Sequence, residues 1–238
     1  REYMDRVDLR IEPAQSPLVF DIDLTLYREN RWVQLRIVNH HTNIVLIRTQ
    51  DEPLLELPVT ESSEDQLTDK SCLTIEKIVE FADCLDVEDV RDTVGQQIEK
   101  NMIIAAEGLK NSWGANIGSV ILRRQVGGVE KIAAAWAAAG SDARMSGCEK
   151  PVIICSGSGN QGITASVPVA VFARETCKSE EELLRAVALS DLVTIHQKTG
   201  IGRLSAFCGA ISAGCGAGVG AGAGVGVGCG GGCTSSQT

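Results

Sequence analysis

The stretch best suited to chemistry is a glycine-rich loop with the sequence Ser-Gly-Ser-Gly-Asn-Gln-Gly, at residues 156–162. An apolar run at residues 152–155 leads into it and an amphipathic run at residues 163–174 follows, which predicts a loop that opens a helix. Because glycine has no Cβ, backbone N–H groups there can approach a ligand closely. The start of a helix adds unpaired N–H donors and a partial positive charge, so we expect the loop to bind a carboxylate or a phosphate.

Polar side chains within this loop extend the predicted binding site. Ser156, Ser158 and Asn160 supply hydroxyl and amide groups beside the backbone of Gly157 and Gly159. We predict that these five residues bind a small anionic substrate. A turn with a purely structural role is the alternative interpretation.

The loop also carries the letters G-x-G-x-x-G at Gly157, Gly159 and Gly162, the spacing of dinucleotide-binding sites. Such a site also needs a second strand that ends in an acidic residue about 20 residues further on. The acids near that distance, residues 180–182, open a helix instead, and Pro168 would disturb the helix after the loop. The sequence therefore favours a small anion over a dinucleotide.

Charged residues on both sides of the loop complete the predicted site. Asp142 and Arg144 form either a polar pair beside the substrate or a surface ion pair, which would contribute little to stability. His196 shares the apolar face of its helix with Leu192, so it is either a buried, hydrogen-bonded histidine or a catalytic base. Lys198 is the other candidate base and would need a depressed pKa near neutral pH; a solvated lysine at a helix end is its alternative.

Composition excludes several classes of partner. The chain has 238 residues, a net charge of −9 and no basic cluster, which argues against nucleic acid and anionic membranes. Its nine cysteines are an odd number without regular spacing, and the chain opens on charged residues rather than on a secretory signal. We therefore expect a cytoplasmic protein with reduced thiols, and, since position 1 is not methionine, a fragment or a processed chain.

The hydrophobic pattern predicts an α+β fold. Alternating residues indicate antiparallel strands in a small β-rich segment at residues 1–70, with a polar linker at residues 50–71. A mainly helical domain with close-packed Gly and Ala helices is predicted at residues 71–218, and a Gly-rich tail at residues 219–238. The tail is too poor in strongly apolar side chains for a membrane span. Helices that approach closely through Gly and Ala also suggest a homo-oligomer.

Three stretches together resemble one family. They lie at residues 139–148, 156–164 and 201–209, and in this order and spacing they are similar to the L-cysteine desulfidases, relatives of the alpha subunit of the bacterial iron–sulfur L-serine dehydratase. The resemblance implies an amino acid lyase that converts L-cysteine or L-serine to pyruvate, ammonia and sulfide or water. The alternative is a non-catalytic module that binds a small anion or a dinucleotide with the same loop.

The resemblance also implies a cofactor, a 4Fe–4S cluster held by three cysteines with one iron left free to act as a Lewis acid. The family's first ligand cysteine matches Cys208 best, with Cys215 as the nearby alternative. The other two ligands have no counterpart in this chain, since Cys229 and Cys233 do not fit the pattern. We therefore expect the chain to hold part of a site, and the choice between cysteine and serine as substrate stays open.

Overall fold

The computed structural model describes residues 7–18, 20–39, 42–59, 69–124, 127–201 and 209–224. The chain divides into two compact units, Arg1–Asp69 and Lys70–Thr238. The strands lie in the first unit and the helices in the second, so the predicted α+β class is confirmed. The three-part domain assignment, with a separate tail from residue 219, stays a prediction.

The first unit contains a four-stranded antiparallel sheet. Its strands are β1 (Asp21–Arg28), β2 (Arg31–Val38), β3 (Ile44–Thr49) and β4 (Pro53–Glu56), and they pair in chain order as a meander. Strand β4 falls where the sequence predicts a linker, because Pro53 indicates a loop. Proline is tolerated at the first residue of an edge strand, where its missing N–H removes no ladder hydrogen bond.

The second unit is built from helices. They are α1 (Ile75–Cys84), α2 (Val87–Lys110), α3 (Ile117–Arg123), α4 (Val129–Met145), α5 (Gly159–Glu175), α6 (Glu180–Thr199) and α7 (Gly209–Val219), followed by a π-helical segment (Gly220–Gly224).

Two helix starts illustrate what the sequence could and could not place. Helix α6 begins with the capping box that the spacing of Ser179 and Glu182 predicts, since the two residues exchange side-chain and backbone hydrogen bonds. The sequence also offers Asp89 and Asp92 as caps for helix α2, and neither of them starts it. The Asp86 side chain accepts a hydrogen bond from the Glu88 N–H at 3.1 Å and starts the helix earlier.

Helix α5 is the central helix of the second unit and packs against α2, α4, α6 and α7. The predicted amphipathic pattern is wrong here, because the helix is buried on nearly all sides. Ile163 and Val167 pack into a cluster with α2 and α4, whereas Val169 packs into a cluster with α6 and α7. The helix continues through Pro168 to Glu175. An apolar helix of this kind is stable only inside a core, so the loop before α5 is fixed by the core itself.

Glycine allows the helices around α5 to approach one another closely, as predicted. A Cβ built on Gly108 would lie 2.1 Å from the Ala139 carbonyl oxygen, and one on Gly216 would lie 2.4 Å from the Ser190 carbonyl oxygen. Gly220 in the π-helical segment also packs closely, since a Cβ built on it would lie 2.6 Å from the Ala186 carbonyl oxygen. The tail beyond residue 224 lies outside the described residues. Within the described ranges, no helix combines the length and the apolar character that a membrane crossing requires.

Candidate functional site

A tight turn at Cys155–Ser158 places the predicted loop. The backbone N–H and C=O groups of Cys155 and Ser158 exchange two hydrogen bonds of 3.2 Å. The two central residues, Ser156 with φ 47° and Gly157 with φ 89°, are both left-handed, as a two-residue reverse turn requires. Glycine adopts this conformation freely, whereas for Ser156 it is uncommon and marks a constrained position. The chain thus reverses sharply, and Ser158 then starts α5.

The extended segment before the turn is held by Asn101 of α2, which is fully buried. Its Nδ2 donates to the Ile153 carbonyl oxygen at 3.1 Å and to Ser166 Oγ at 3.0 Å, and its Oδ1 accepts from the Ile153 N–H at 2.9 Å. Asn101 therefore replaces the neighbouring strand that this segment lacks. The sequence analysis missed it, although a polar residue seven positions after Val94 in a helical pattern was a usable signal.

The start of α5 offers three unpaired donors. Ser158 occupies the position before the helix with an extended backbone, but its side chain makes no capping hydrogen bond. The first bond of the helix runs from the Gly162 N–H to the Ser158 carbonyl oxygen at 3.1 Å. Within the described part of the chain, the N–H groups of Gly159, Asn160 and Gln161 have no acceptor. These groups and the helix dipole form a site for negative charge.

Arg144 of α4 lies directly against this helix start. A Cβ built on Gly159 would lie 2.3 Å from Arg144 Nε, so only glycine leaves room for the guanidinium group. Arg144 Nη1 donates to Asn160 Oδ1 at 3.1 Å. Across the described ranges, no carboxylate forms an ion pair with Arg144. A cation at the positive end of a helix is unfavourable by itself, and an anion bound between them would interact favourably with both.

Gln161 contributes a second unusual group at the same helix start. The residue is only 5% exposed, and its Oε1 is buried without a hydrogen-bond partner among the described residues. The amide packs against Gly209, the first residue of α7, where a Cβ would lie 2.1 Å from Gln161 Cδ. An unpaired buried acceptor costs about 1–3 kcal/mol. Gln161 was not among the predicted site residues.

A buried thiol and a buried carboxyl group tie the turn to two helices. Burial raises the pKa of the Cys155 thiol, and the nearby Asp191 carboxylate of α6 raises it further. Gln97 Nε2 donates to Asp191 Oδ1 at 3.0 Å. Burial raises the pKa of Asp191 to about 6, against the opposing effect of hydrogen bonds from Gln97 and Cys155. The sequence analysis missed this cluster, which joins the turn to α2 and α6.

Asp142 lies two residues before Arg144 but has a different partner. Its Oδ2 accepts a hydrogen bond from the Ile117 N–H at 2.7 Å and so caps the start of α3. Among the described residues no ion pair joins Asp142 to Arg144, because Arg144 Nη1 donates to Asn160 Oδ1 instead. The substrate-binding role predicted for Asp142 stays a prediction.

The two candidate bases lie on different faces of α6. Lys198 is only 3% exposed, so the alternative of a solvated lysine at the helix end is wrong. It shares a face with Asp191, seven residues and about 10 Å earlier along the helix. His196 is half-buried and lies near Glu76 of α1, whose pKa is lowered mainly by hydrogen bonds to its own backbone and to Thr74 and to a smaller extent by His196.

Comparison with known sequences assigns the chain to a family. A sequence model of the serine dehydratase alpha chain matches residues 34–236. The chain belongs to this family. Similar proteins include the UPF0597 proteins of Desulfitobacterium hafniense, 48% identical over 216 residues, and of Treponema denticola, 43% identical over 219 residues. These alignments cover 91% and 90% of this chain but 50% and 51% of the relatives. The chain thus spans about half the length of the curated relatives that it matches, and no solved structure matches it.

Serine dehydratase alpha chains are associated with iron–sulfur clusters, so the cysteines are of interest. The implied ligand Cys208 lies outside the described residues. Within those residues, no group of three or more His, Cys, Asp and Glu side chains could hold a metal ion. The cysteine closest to the loop, Cys155, is buried and its raised pKa disfavours the thiolate that metals bind. The described residues therefore do not by themselves form the ligand set of a 4Fe–4S cluster.

The dinucleotide interpretation does not fit the geometry around the loop. Residues 151–154 make no sheet, and the only bridge there is the turn pair Cys155–Ser158 within the described ranges. After α5 the chain enters α6 through the Ser179–Glu182 capping box, without a strand between the two helices. A dinucleotide site needs parallel strands on both sides of the first helix.

Proposed function

We propose that this member of the serine dehydratase alpha chain family is part of an amino acid lyase that eliminates hydrogen sulfide from L-cysteine or water from L-serine. Hydrolysis of the resulting aminoacrylate, which consumes one water, then gives pyruvate and ammonia. Membership of the family supports a lyase. The observation that carries the proposal is the uncapped start of α5, where three unpaired N–H groups meet the Arg144 guanidinium. The choice of L-cysteine over L-serine follows from the resemblance to the desulfidases alone, and both substrates belong to the proposal.

In this proposal the substrate carboxylate binds at the start of α5. The N–H groups of Gly159, Asn160 and Gln161 would donate to its oxygens, and Arg144 would supply the opposite charge. The Ser156 and Ser158 hydroxyl groups, both partly exposed at the turn, would complete the polar lining. Asn101 holds the segment before the turn, and the Cys155–Asp191 contact holds the turn itself. The N–H donors are therefore in position before the substrate binds.

Removal of the substrate α-proton requires a base, and we assign this role to Lys198 rather than to His196. Lys198 is buried on the face of α6 that also carries Asp191, the residue in contact with the turn. His196 lies near Glu76 instead, at the start of α1. A base held in a site from which water is excluded can act on a bound substrate without competition from solvent.

The proposal keeps the cofactor that the resemblance implies and the cytoplasmic setting that the cysteine pattern predicts. The cofactor is a 4Fe–4S cluster with Cys208 as one ligand, a thiolate of the type that such clusters use. Iron-ligating thiols need a reducing compartment, which supports a cytoplasmic enzyme. The name alpha chain supports an assembly of several subunits, and we propose a homo-oligomer.

Titration calorimetry tests the carboxylate site. We expect the 238-residue chain to bind L-serine and L-cysteine but not 2-aminoethanol, which lacks the carboxylate. Arg144→Met should weaken serine binding by about 10- to 100-fold, the effect of a lost charge-assisted hydrogen bond. Arg123→Met is the matched control, because among the described residues Arg123 bonds only the Ser119 carbonyl oxygen of its own helix. Equal binding of serine by both variants would refute the proposal.

A non-catalytic module for small anions is the alternative, since the start of α5 would accept any small carboxylate. Pyruvate formation separates the two. The longest natural form of the chain, reconstituted anaerobically with iron and sulfide, should release pyruvate from L-cysteine or L-serine. Binding of these amino acids without any pyruvate from the iron-loaded protein would favour the module.

A further inference from the structure

Gln161 is the one described side chain at the start of α5 whose buried polar atom is left unpaired. It is the third residue of the helix, and side chains in this position tilt back toward the helix start. The amide lies between α5 and Gly209 of α7, where it is shielded from water. Buried oxygens of this kind nearly always have a donor in the working state of a protein. The described residues supply no such donor, so an N–H or O–H group of a ligand would satisfy this oxygen.

We infer that Gln161 Oε1 accepts a hydrogen bond from the α-ammonium group of an amino acid whose carboxylate lies on the α5 N–H groups. This inference rests on the proposed function and assigns the other charged end of the substrate. Arg144 and the helix start are positive and recognise the carboxylate, so they would repel an isolated cation. A zwitterion has no net charge, and a neutral amide oxygen can accept from its ammonium group without adding another charge to the site.

Two features of Gln161 favour this role over a structural one. Its side chain bonds no described residue, so it holds no element in place. Its neighbour Asn160, by contrast, is engaged by Arg144. Gly209 leaves space for the amide that any larger residue would fill, since even a Cβ there would lie 2.4 Å from Nε2 and 2.5 Å from Oε1. A glycine at the start of α7 thus makes room for a group that has no partner within the described protein.

The inference predicts which acids the site prefers. L-Serine and 3-hydroxypropanoate share the carboxylate and the hydroxyl group, and only serine has the ammonium. The chain should bind serine about 10- to 100-fold more tightly, since the acceptor is left unpaired by the analogue. Pyruvate, the product of the proposed reaction, also lacks the ammonium and should bind as weakly as 3-hydroxypropanoate. Loss of the amine would then favour release of the product.

The experiment measures the dissociation constants of L-serine and 3-hydroxypropanoate for the 238-residue chain and for Gln161→Met, by calorimetry. Methionine keeps the volume and removes the acceptor, so the preference for serine should fall to within about threefold while the affinity for 3-hydroxypropanoate stays unchanged. Gln96→Met, at an exposed position on α2, is the control for the substitution and should keep the full preference. The melting temperature of Gln161→Met should be unchanged or higher, because an unpaired buried oxygen has been removed.

Other outcomes decide against the inference in distinguishable ways. If the parent chain binds neither acid, the carboxylate site of the proposed function fails, and this inference fails with it. If the parent binds both acids equally, or if Gln161→Met keeps the preference or weakens both acids equally, the carboxylate site stands and the role of Gln161 is refuted. Should Gln161→Met not fold, Gln161→Glu decides. A carboxylate there should increase the preference for serine, and an unchanged preference overturns the inference.

Discussion

Asp191 offers a quantitative test of how the turn before α5 is held. Burial raises its pKa from the ordinary 3.8 to about 6, although hydrogen bonds from Gln97 and Cys155 partly oppose the shift. Between these two pH values, the folded protein holds a proton that the unfolded chain has released. The contribution of Asp191 to the free energy of unfolding therefore rises as the pH falls through 6. A carboxylate in an ion pair has the opposite effect, since its contribution falls as the pH falls.

The size of the effect follows from the two pKa values. Each unit of difference corresponds to about 1.4 kcal/mol, so ionised Asp191 costs about 3 kcal/mol of stability at pH 7.5. At pH 5 the folded protein keeps the proton, and the same relation gives a smaller cost of about 2 kcal/mol. Asp191→Asn removes the charge and keeps an acceptor for Gln97. We expect this variant to be more stable than the parent at pH 7.5, with an advantage that shrinks by about 1 kcal/mol at pH 5.

Urea denaturation followed by circular dichroism at pH 5, 6 and 7.5 measures this difference. Asp92→Asn, at an exposed position on α2, is the control for the effect of the substitution itself. Only the difference between parent and variant is compared, so the titration of all other groups cancels. If the difference for Asp191→Asn is constant from pH 5 to 7.5, the carboxyl group is not desolvated and the description of the cluster is refuted.

Three further substitutions test the packing and capping by urea denaturation. Gly216→Ala should destabilise the protein by about 1–3 kcal/mol, because the new Cβ would meet the backbone of α6. Gly218 faces open space, so Gly218→Ala should stabilise the protein by about 0.5–1 kcal/mol. Equal effects of the two substitutions would contradict the packing of the Gly216 face of α7 against α6. Asn101→Ala should cost about 2–4 kcal/mol, since the Ile153 N–H and C=O groups lose their partner, and a loss below about 0.5 kcal/mol would show that water replaces it. Ser179→Ala should cost about 1 kcal/mol through the lost capping box, and an unchanged midpoint would argue against that cap.

Local patterns predicted the features of the fold that depend on neighbouring residues. The capping box at Ser179 and the antiparallel meander follow from short spacings, and the structure confirms both. Strand β4 was missed because Pro53 indicates a loop unless the edge position of the strand is known. Helix α5 was expected to have one solvated face, since periodicity cannot show that four other helices surround it.

The site could be predicted only in part, for the same reason. The loop at residues 156–162 was found because glycine spacing is visible in the sequence. Asn101 and Asp191 were missed because their partners, Ile153 and Gln97, lie 52 and 94 residues away along the chain. A solvated Lys198 stayed open as an alternative because a helical pattern gives the faces of a helix but not which of them is covered.

The most direct test of the central claim is the response of the backbone amides at the start of α5 to a bound amino acid. In ¹H–¹⁵N NMR spectra of the 238-residue chain, L-serine should shift the amide signals of Gly159, Asn160 and Gln161, because their N–H groups gain a carboxylate acceptor. The same concentration of 2-aminoethanol should leave these signals in place. If serine binds but shifts amides elsewhere and leaves these three unchanged, the carboxylate does not bind at the start of α5, and the proposed site is wrong.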